Sequence, residues 1–290
     1  MNITGIGDQY TPDDTFKAKA RLHQSNFRAA ELKVNFNEYG NRLFEKEGKK
    51  LLNYYDDLNC KKVLRERYPN YSAKRDADML RSEHIPFNLI APLDLDHDVA
   101  KNILEKSFGI RVQSIDFVKM EYAPSPNSSY LYDGTAFDAF IQAKDKNGNV
   151  LGIGIEIKYT EKAYKIGFTE KENINDHDSI YWETARQSDC FKEPDDNLFG
   201  TDELRQIWRN HLLGLKMKQK GLIDDFYSIT LFPQGNVHFN HALPLYIDML
   251  KVTSKKYVIG YTFENFISNI DGPDEFMQWK NWLKRRYIVD

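Results

Sequence analysis

The sequence predicts an α/β protein, in which strands alternate with helices after a helical N-terminal extension. Two stretches rich in apolar and β-forming residues, 135–144 and 150–159, flank Asp145-Lys146-Asn147-Gly148-Asn149, which is typical of a hairpin turn. Helical and strand patterns surround this hairpin: helix over 98–108, strand over 111–122, helix over 203–219, strand over 226–232, and closing helices after a last strand at 257–261.

Amino-acid composition limits the kinds of protein that the sequence can represent. The chain has 290 residues, of which 41% are hydrophobic and 29% charged, as is typical of soluble globular proteins. No apolar run approaches the roughly 20 residues of a membrane span, and the N-terminus lacks the features of a signal peptide. Cys60 and Cys190 form neither a disulfide framework nor a zinc motif. These features predict a cytoplasmic protein without a membrane partner.

The first 70 residues are predicted to form the extension, and 71–290 the main domain. Residues 1–12 are expected to be a loose arm. Asp13 or Asp14 is a candidate cap for a helix that runs to about residue 32, and a second helix is predicted over 37–55. A short helix is predicted to end near His84, because Pro86 disfavours helical backbone at the preceding residue.

Three charged residues interrupt the apolar hairpin. Asp138 lies in the first strand, and Glu156 and Lys158 lie in the second. Side chains alternate along a strand, so Glu156 and Lys158 share a face with Gly152 and Gly154, which leave room there. A buried ion pair explains such residues, and so does a site where two carboxylates hold a divalent cation.

Asp followed by Glu-x-Lys on the next strand of a hairpin resembles the PD-(D/E)xK nuclease superfamily, whose fold many restriction endonucleases share. Asp138, Glu156 and Lys158 match the motif, and Phe137 stands where the motif has proline. Two further stretches resemble a bacterial restriction-endonuclease-like group within this superfamily. They are RSEHIPFNLIAPL at 81–93 and QIWRNHLLG at 206–214.

The resemblance implies a restriction-endonuclease-like core with a central mixed β-sheet flanked by helices. It also implies metal-dependent hydrolysis of DNA. Asp138, Glu156 and the backbone carbonyl of Ile157 would hold Mg²⁺ or Mn²⁺, while Lys158 and Gln206 would orient the attacking water and the phosphate. Glu83 is the preferred candidate for an auxiliary acid on an early helix, and Glu105 is the alternative.

Other functions remain open at this point. The same fold could serve as a non-catalytic or structure-specific nucleic-acid-binding protein, or as an RNA nuclease, and a homodimer is possible. With a net charge of −3, phosphate affinity must come from local patches, for which Lys162, Lys165, Arg205 and Arg209 are the candidates. The segment 161–200 is predicted to be irregular. Tyr181 and Trp182 within it could stack on bases or pack on the core.

The length of the hairpin turn decides whether Asp138 and Glu156 can share a cation. A two-residue turn at Asn147-Gly148 would set Asp138 opposite Ile157 and turn the two carboxylates to opposite faces. A three-residue loop, 146–148, sets Asp138 opposite Glu156 and requires a left-handed residue, which suits Gly148. We therefore predict the three-residue loop, with positive φ at Gly148.

Overall fold

The computed structural model describes residues 5–126 and 129–289 and confirms the α/β class with a central mixed sheet. Five strands pair in the order β3-β4-β5-β6-β7. The pairs β3/β4 and β4/β5 are antiparallel, and the pairs β5/β6 and β6/β7 are parallel. A separate two-stranded sheet, β1/β2, lies near the N-terminus. The strands are β1 Phe36–Asn37, β2 Tyr39–Leu43, β3 Ser114–Tyr122, β4 Phe137–Lys144, β5 Val150–Ile157, β6 Asp225–Phe232 and β7 Val258–Thr262.

Helices cover both faces of the central sheet. One face packs on residues from α5, α10 and α11 and the N-terminal region, and the other on residues from α7, α8 and α9. The helices are α1 Thr15–Phe27, α2 Glu45–Lys49, α3 Cys60–Arg67, α4 Ile85–Leu89, α5 His97–Phe108, α6 Phe168–Asn175, α7 Ile180–Ser188, α8 Arg205–Gln219, α9 Val237–Asp248, α10 Phe263–Ser268 and α11 Asp274–Tyr287. Among the described residues, no helix has the length and apolar character needed to cross a bilayer.

The central hairpin has the predicted three-residue loop. Lys144 pairs with Val150, and the Asp145 backbone N–H donates to the Asn149 carbonyl at 3.0 Å. The Gly148 N–H donates to the Asp145 carbonyl at 3.1 Å, and Gly148 has φ 85°. Both the loop length and the positive φ are confirmed, so the register keeps the two acids on one face.

The N-terminal region follows the prediction in its first helix only. Asp14 caps α1, as expected, by accepting from the Lys17 backbone N–H at 2.9 Å. The predicted helix over 37–55 is wrong, because β1, β2 and the short α2 occupy that stretch. At Gly40 a Cβ would lie 1.9 Å from the Ile6 carbonyl oxygen, so the chain depends on a close backbone approach that no helical pattern reveals.

A short 3₁₀ helix, Ser82–His84, ends at His84 as predicted. The effect assigned to Pro86 is wrong, because Pro86 lies in the first turn of α4, where its missing N–H costs nothing and a second helix begins. Residues 1–4 of the predicted arm, and residues 127 and 128 of the loop predicted at 123–129, lie outside the described residues.

The N-terminal extension is packed onto the main domain. The Gln24 amide donates to the Tyr159 hydroxyl at 2.7 Å, and Leu51, Tyr54 and Leu64 belong to the same hydrophobic core as the sheet. The division of the chain at residue 70 remains a prediction.

The segment 161–200 is more regular than predicted, since it contains α6 and α7. Tyr181 and Trp182 are fully buried and pack on Trp208, with ring centroids 5.6 and 4.7 Å away. Of the two roles considered for this pair, packing on the core is therefore the one observed. The tertiary contact with α8 stabilises a helix that the local sequence pattern did not predict.

Candidate active site

Three carboxylates lie side by side on three neighbouring strands. Met120 pairs with Ala139 and Tyr122 with Phe137, which sets Glu121 of β3 opposite Asp138 of β4. Ala139 pairs with Ile155, and the same register continued by one residue sets Asp138 opposite Glu156 of β5. Directly opposed residues share a face, which joins Asp138 and Glu156. Glu121 has φ 51°, outside the extended region, but its charge acts on Asp138 and that of Glu156 acts on it, so the three carboxylates are together called the acidic row below.

Three contacts hold the middle and end of the acidic row. The Lys158 ammonium lies 2.5 Å from Glu156 Oε1, and the Asn210 amide donates to Glu156 Oε2 at 2.6 Å. The Ile157 backbone N–H donates to Asp138 Oδ2 at 2.6 Å. The loop turned at Gly148 and the position of α8 therefore bring together residues separated by more than seventy positions in the sequence.

Negative charge exceeds positive charge at this site. Burial raises the pKa of Asp138 well above its usual range, and the neighbouring Glu156 and Glu121 raise it further. Burial, with the charges of Glu156 and Glu83 nearby, raises the pKa of Glu121 to about 6. Burial lowers the pKa of Lys158, but the carboxylates of Glu156 and Asp138 outweigh it and leave the pKa raised. The Lys158 ammonium thus faces Asp138 and Glu156, and Arg67 is the cation that acts on Glu121.

This donor set fits a hard divalent cation. Carboxylate oxygens are the ligands that Mg²⁺ prefers, and a cation would relieve the repulsion that raises the pKa of Asp138. In an antiparallel strand, the N–H and the C=O of one residue point to the same edge of the strand. The Ile157 N–H points to the edge where Asp138 lies, so the Ile157 carbonyl points to that edge too. Within residues 5–126 and 129–289, no three His, Cys, Asp or Glu side chains form a ready metal cage. Mg²⁺ does not need one, because it usually keeps several waters and binds through one or two carboxylates.

Two amides of α8 face this region one helical turn apart. Gln206 is 4% exposed, and its amide oxygen and nitrogen lack a hydrogen-bond partner among the described residues. Asn210, four residues later, contacts Glu156, while its own amide oxygen is buried and unpaired. The resemblance predicts Gln206 alone as a site residue. The i, i+4 spacing, which sets Asn210 on the same face of the helix as Gln206, was the available indication of Asn210.

The two candidates for the auxiliary acid lie in different surroundings. Glu83 follows Arg81, which pairs with it at 3.0 Å, and its charge acts on Glu121. Glu105 pairs with Arg111 at 2.7 Å in an exposed position on α5. Glu83 is therefore the candidate near the acidic row. Glu121 itself was missed, because strand alternation alone does not say which acid of β3 lies level with Asp138.

Arg205 and Arg209 are not available for phosphate contacts. The Arg205 guanidinium is 1% exposed and lies 2.7 Å from Glu170, which also accepts from Arg209 at 3.1 Å. Lys162 pairs with Asp14 at 2.9 Å, whereas Lys165 makes no ion pair with any residue that the structure describes. The expected basic patch is thus reduced to its exposed lysines.

Comparison with known proteins agrees with this geometry. Neither the curated proteins nor the solved structures compared with the chain gave a significant match. A family model described as PD-(D/E)XK nuclease superfamily matches residues 11–289, nearly the whole chain. The five-stranded mixed sheet with flanking helices is consistent with the restriction-endonuclease-like fold of that superfamily, whose members are generally nucleases that use divalent metal ions. This chain belongs to the PD-(D/E)XK nuclease superfamily.

Proposed function

We propose that this protein is a Mg²⁺- or Mn²⁺-dependent endonuclease that hydrolyses DNA phosphodiester bonds in the cytoplasm, with the metal-dependent chemistry of a restriction endonuclease. One observation carries the proposal. Three carboxylates lie in register across three strands, next to a single lysine and two side-chain amides that have buried atoms without a hydrogen-bond partner. Such an excess of buried negative charge is costly in a purely structural site and is suited to a cation that binds phosphate.

Each residue has a distinct role in this proposal. Asp138, Glu156 and the Ile157 carbonyl hold the cation, with Glu121 and Glu83 as outer acids that add negative charge or accept a proton. When bound, the cation polarises the phosphate and lowers the pKa of a water molecule. Lys158 stabilises negative charge that develops on the phosphate oxygens. Gln206 offers a donor and an acceptor to the attacking water, and Asn210 fixes the orientation of Glu156.

The experiment is incubation of the purified chain with supercoiled plasmid, linear duplex, single-stranded DNA and RNA, each with Mg²⁺, with Mn²⁺ and with EDTA. We expect plasmid to be nicked or linearised with either metal and to stay intact with EDTA. Cleavage of closed circular plasmid also distinguishes an endonuclease from an exonuclease.

The other functions considered give different results. Full cleavage in EDTA would contradict the metal-dependent mechanism. Cleavage of RNA alone would identify an RNA nuclease, and binding without cleavage of any substrate would identify a non-catalytic nucleic-acid-binding protein. A homodimer, which many duplex-cutting enzymes need, is tested by the mass of the protein in solution with and without DNA.

A further inference from the structure

We infer that exposed aromatic side chains beside the acidic row stack on unpaired bases, so that this enzyme acts on DNA whose strands are open at the cleavage site. The inference rests on the proposed function and specifies its substrate. The side chains are Tyr132, which precedes β4, and Tyr164 and Phe168, which follow β5. Together with Lys162 and Lys165 they are called the aromatic rim.

Two members of the aromatic rim, Phe168 at 77% and Tyr132 at 61%, are the most exposed aromatic side chains among the described residues. Tyr164 is 36% exposed, and its ring packs against the Arg205 and Arg209 guanidinium groups. Residues 162–169 contain two lysines and no acid, and Lys165 makes no ion pair within the described ranges. Exposure of large apolar rings to water is unfavourable, which indicates an interaction site. A single strand offers flat bases on which such rings can stack and phosphates that attract the neighbouring positive charge.

One observed contact joins the aromatic rim directly to the site, and further contacts join it through α6 and α8. The Tyr164 ring centroid is 5.9 Å from the Lys158 ammonium. The Tyr164 hydroxyl donates to Glu170 at 3.0 Å, and Glu170 lies two residues after Phe168 in the first turn of α6. Glu170 in turn accepts from Arg209, the neighbour of Asn210, which contacts Glu156. Phe168 therefore belongs to the helical turn that packs on the catalytic stretch of α8.

Tyr132 lies on the adjoining segment. The Asn173 amide of α6 donates to the Leu131 carbonyl at 3.4 Å, which joins this segment to α6. The chain then reaches Asp138 six residues after Tyr132. The rim residues thus lie on the two segments that adjoin the acidic row, the one that enters β4 and the one that leaves β5.

This arrangement favours open strands over intact duplex. In a duplex both faces of each base are covered by neighbouring base pairs, so an exposed protein ring cannot stack on them. An unpaired base has a free face, and removal of one stacking ring typically costs about 5- to 150-fold in affinity. Stacking also needs no particular base, because every base has a flat face.

The test compares binding of a fluorescein-labelled single-stranded oligonucleotide with binding of the blunt duplex of the same sequence, by fluorescence anisotropy in Ca²⁺ buffer. We expect the single strand to bind at least tenfold more tightly. The Phe168→Ala variant should lose about tenfold in single-strand affinity and nothing in duplex affinity. Phe168→Trp should bind the single strand as wild type does, and Phe168→Leu should behave as Phe168→Ala.

Leu222→Ala is the matched control. Leu222 is also an exposed apolar residue, but it lies beside Asp224, whose N–H donates to the Val150 carbonyl at the opposite end of β5 from Glu156. Equal loss of single-strand and duplex affinity in Phe168→Ala, or full affinity in Phe168→Leu, would overturn the stacking role.

Cleavage assays in Mg²⁺ separate the two proposals. Rim-dependent binding without cleavage contradicts the nuclease alone, and duplex cleavage untouched by Phe168→Ala contradicts the rim alone.

Discussion

Two charged clusters contact the same helix, α8, and they differ in the balance of their charges. In the first, Glu170 lies between Arg205 and Arg209, and Asp202 adds a bond to Arg205 at 2.9 Å. Two cations thus meet two carboxylates. In the second, three carboxylates meet two cations, since Lys158 faces Glu156 and Asp138 and Arg67 acts on Glu121.

The difference separates a structural charge cluster from a candidate active site. Burial of charge is common to both, and so are short contacts. Of the two clusters, only the acidic row has acids with raised pKa values, at Asp138 and Glu121, because burial raises them first and the neighbouring carboxylates raise them further. The Arg205 cluster is complete without a ligand, whereas the acidic row is suited to a cation.

The largest expected effect is on cleavage by variants of the acidic row. Asp138→Asn and Glu156→Gln should each abolish cleavage, a loss larger than the about 10²–10³-fold typical of one hydrogen-bond donor. Both should fold, and Asp138→Asn should unfold at higher temperature than wild type in EDTA, because it reduces repulsion between the carboxylates and keeps the Lys158–Glu156 pair. A plasmid assay measures cleavage, calorimetric titration measures Mg²⁺ binding, and thermal unfolding in EDTA measures stability. Glu105→Gln, an exposed acid of α5, is the control, and wild-type cleavage by either row variant would refute the metal site.

Lys158→Ala should reduce the cleavage rate by about 10²–10³-fold, because in the proposed mechanism the lysine stabilises charge in the transition state. Mg²⁺ affinity should be kept or increased, since removal of the ammonium leaves the carboxylates unopposed. Single-turnover kinetics and calorimetry are the measurements. Lost metal affinity with an unchanged rate would show that the role of Lys158 is misassigned.

The Arg205 cluster should respond in stability. Arg205→Met removes one partner of a buried ion pair and should lower the free energy of unfolding by about 3 kcal/mol. Arg111→Met is the matched control, because Arg111 also lies 2.7 Å from a carboxylate but is exposed, and its loss should cost about 0–1 kcal/mol. Urea titration followed by circular dichroism measures both. Equal losses would mean that the buried Arg205 ion pair contributes no more to the free energy of unfolding than the exposed Arg111 ion pair.

The acidic row should also make stability depend on pH. The pKa of Glu121 is about 6 in the folded protein and 4.5 when unperturbed, so the folded state holds the proton more strongly. The contribution of Glu121 to stability in EDTA should therefore be highest below pH 4.5. It should fall by up to about 2 kcal/mol as the pH rises through 6. Glu121→Gln should remove that fall, and Glu105→Gln should keep it. Denaturant titrations at a series of pH values test this, and an unchanged fall in Glu121→Gln would assign it to another group.

The smallest effect is expected at Gln206. Gln206→Ala should slow cleavage about tenfold, which corresponds to the about 1.4 kcal/mol of one hydrogen bond. Gln219→Ala, at the far end of α8, should leave the rate unchanged. Steady-state kinetics on plasmid compare the two variants. Identical rates for both would remove Gln206 from the proposed mechanism.

The sequence by itself determined the sheet elements and the candidate acids that follow from local pattern. Apolar alternation located β3 to β7 closely, and helix limits such as Asp274–Tyr287 agreed because caps and periodicity are local properties. The turn at 145–149 even determined the strand register, since the position of a left-handed glycine depends on nearby residues only.

Tertiary structure decided what distant segments do to each other. It placed Glu121 opposite Asp138, because pairing between strands is set by the whole sheet and a shift of one residue would turn the acid away. It brought Asn210 to Glu156 and enclosed Arg205 with Glu170, although the sequence alone favoured phosphate contacts for that arginine. The predicted helix around Gly40 is instead a two-stranded hairpin, because close packing of Gly40 against Ile6 outweighs the local helix propensity.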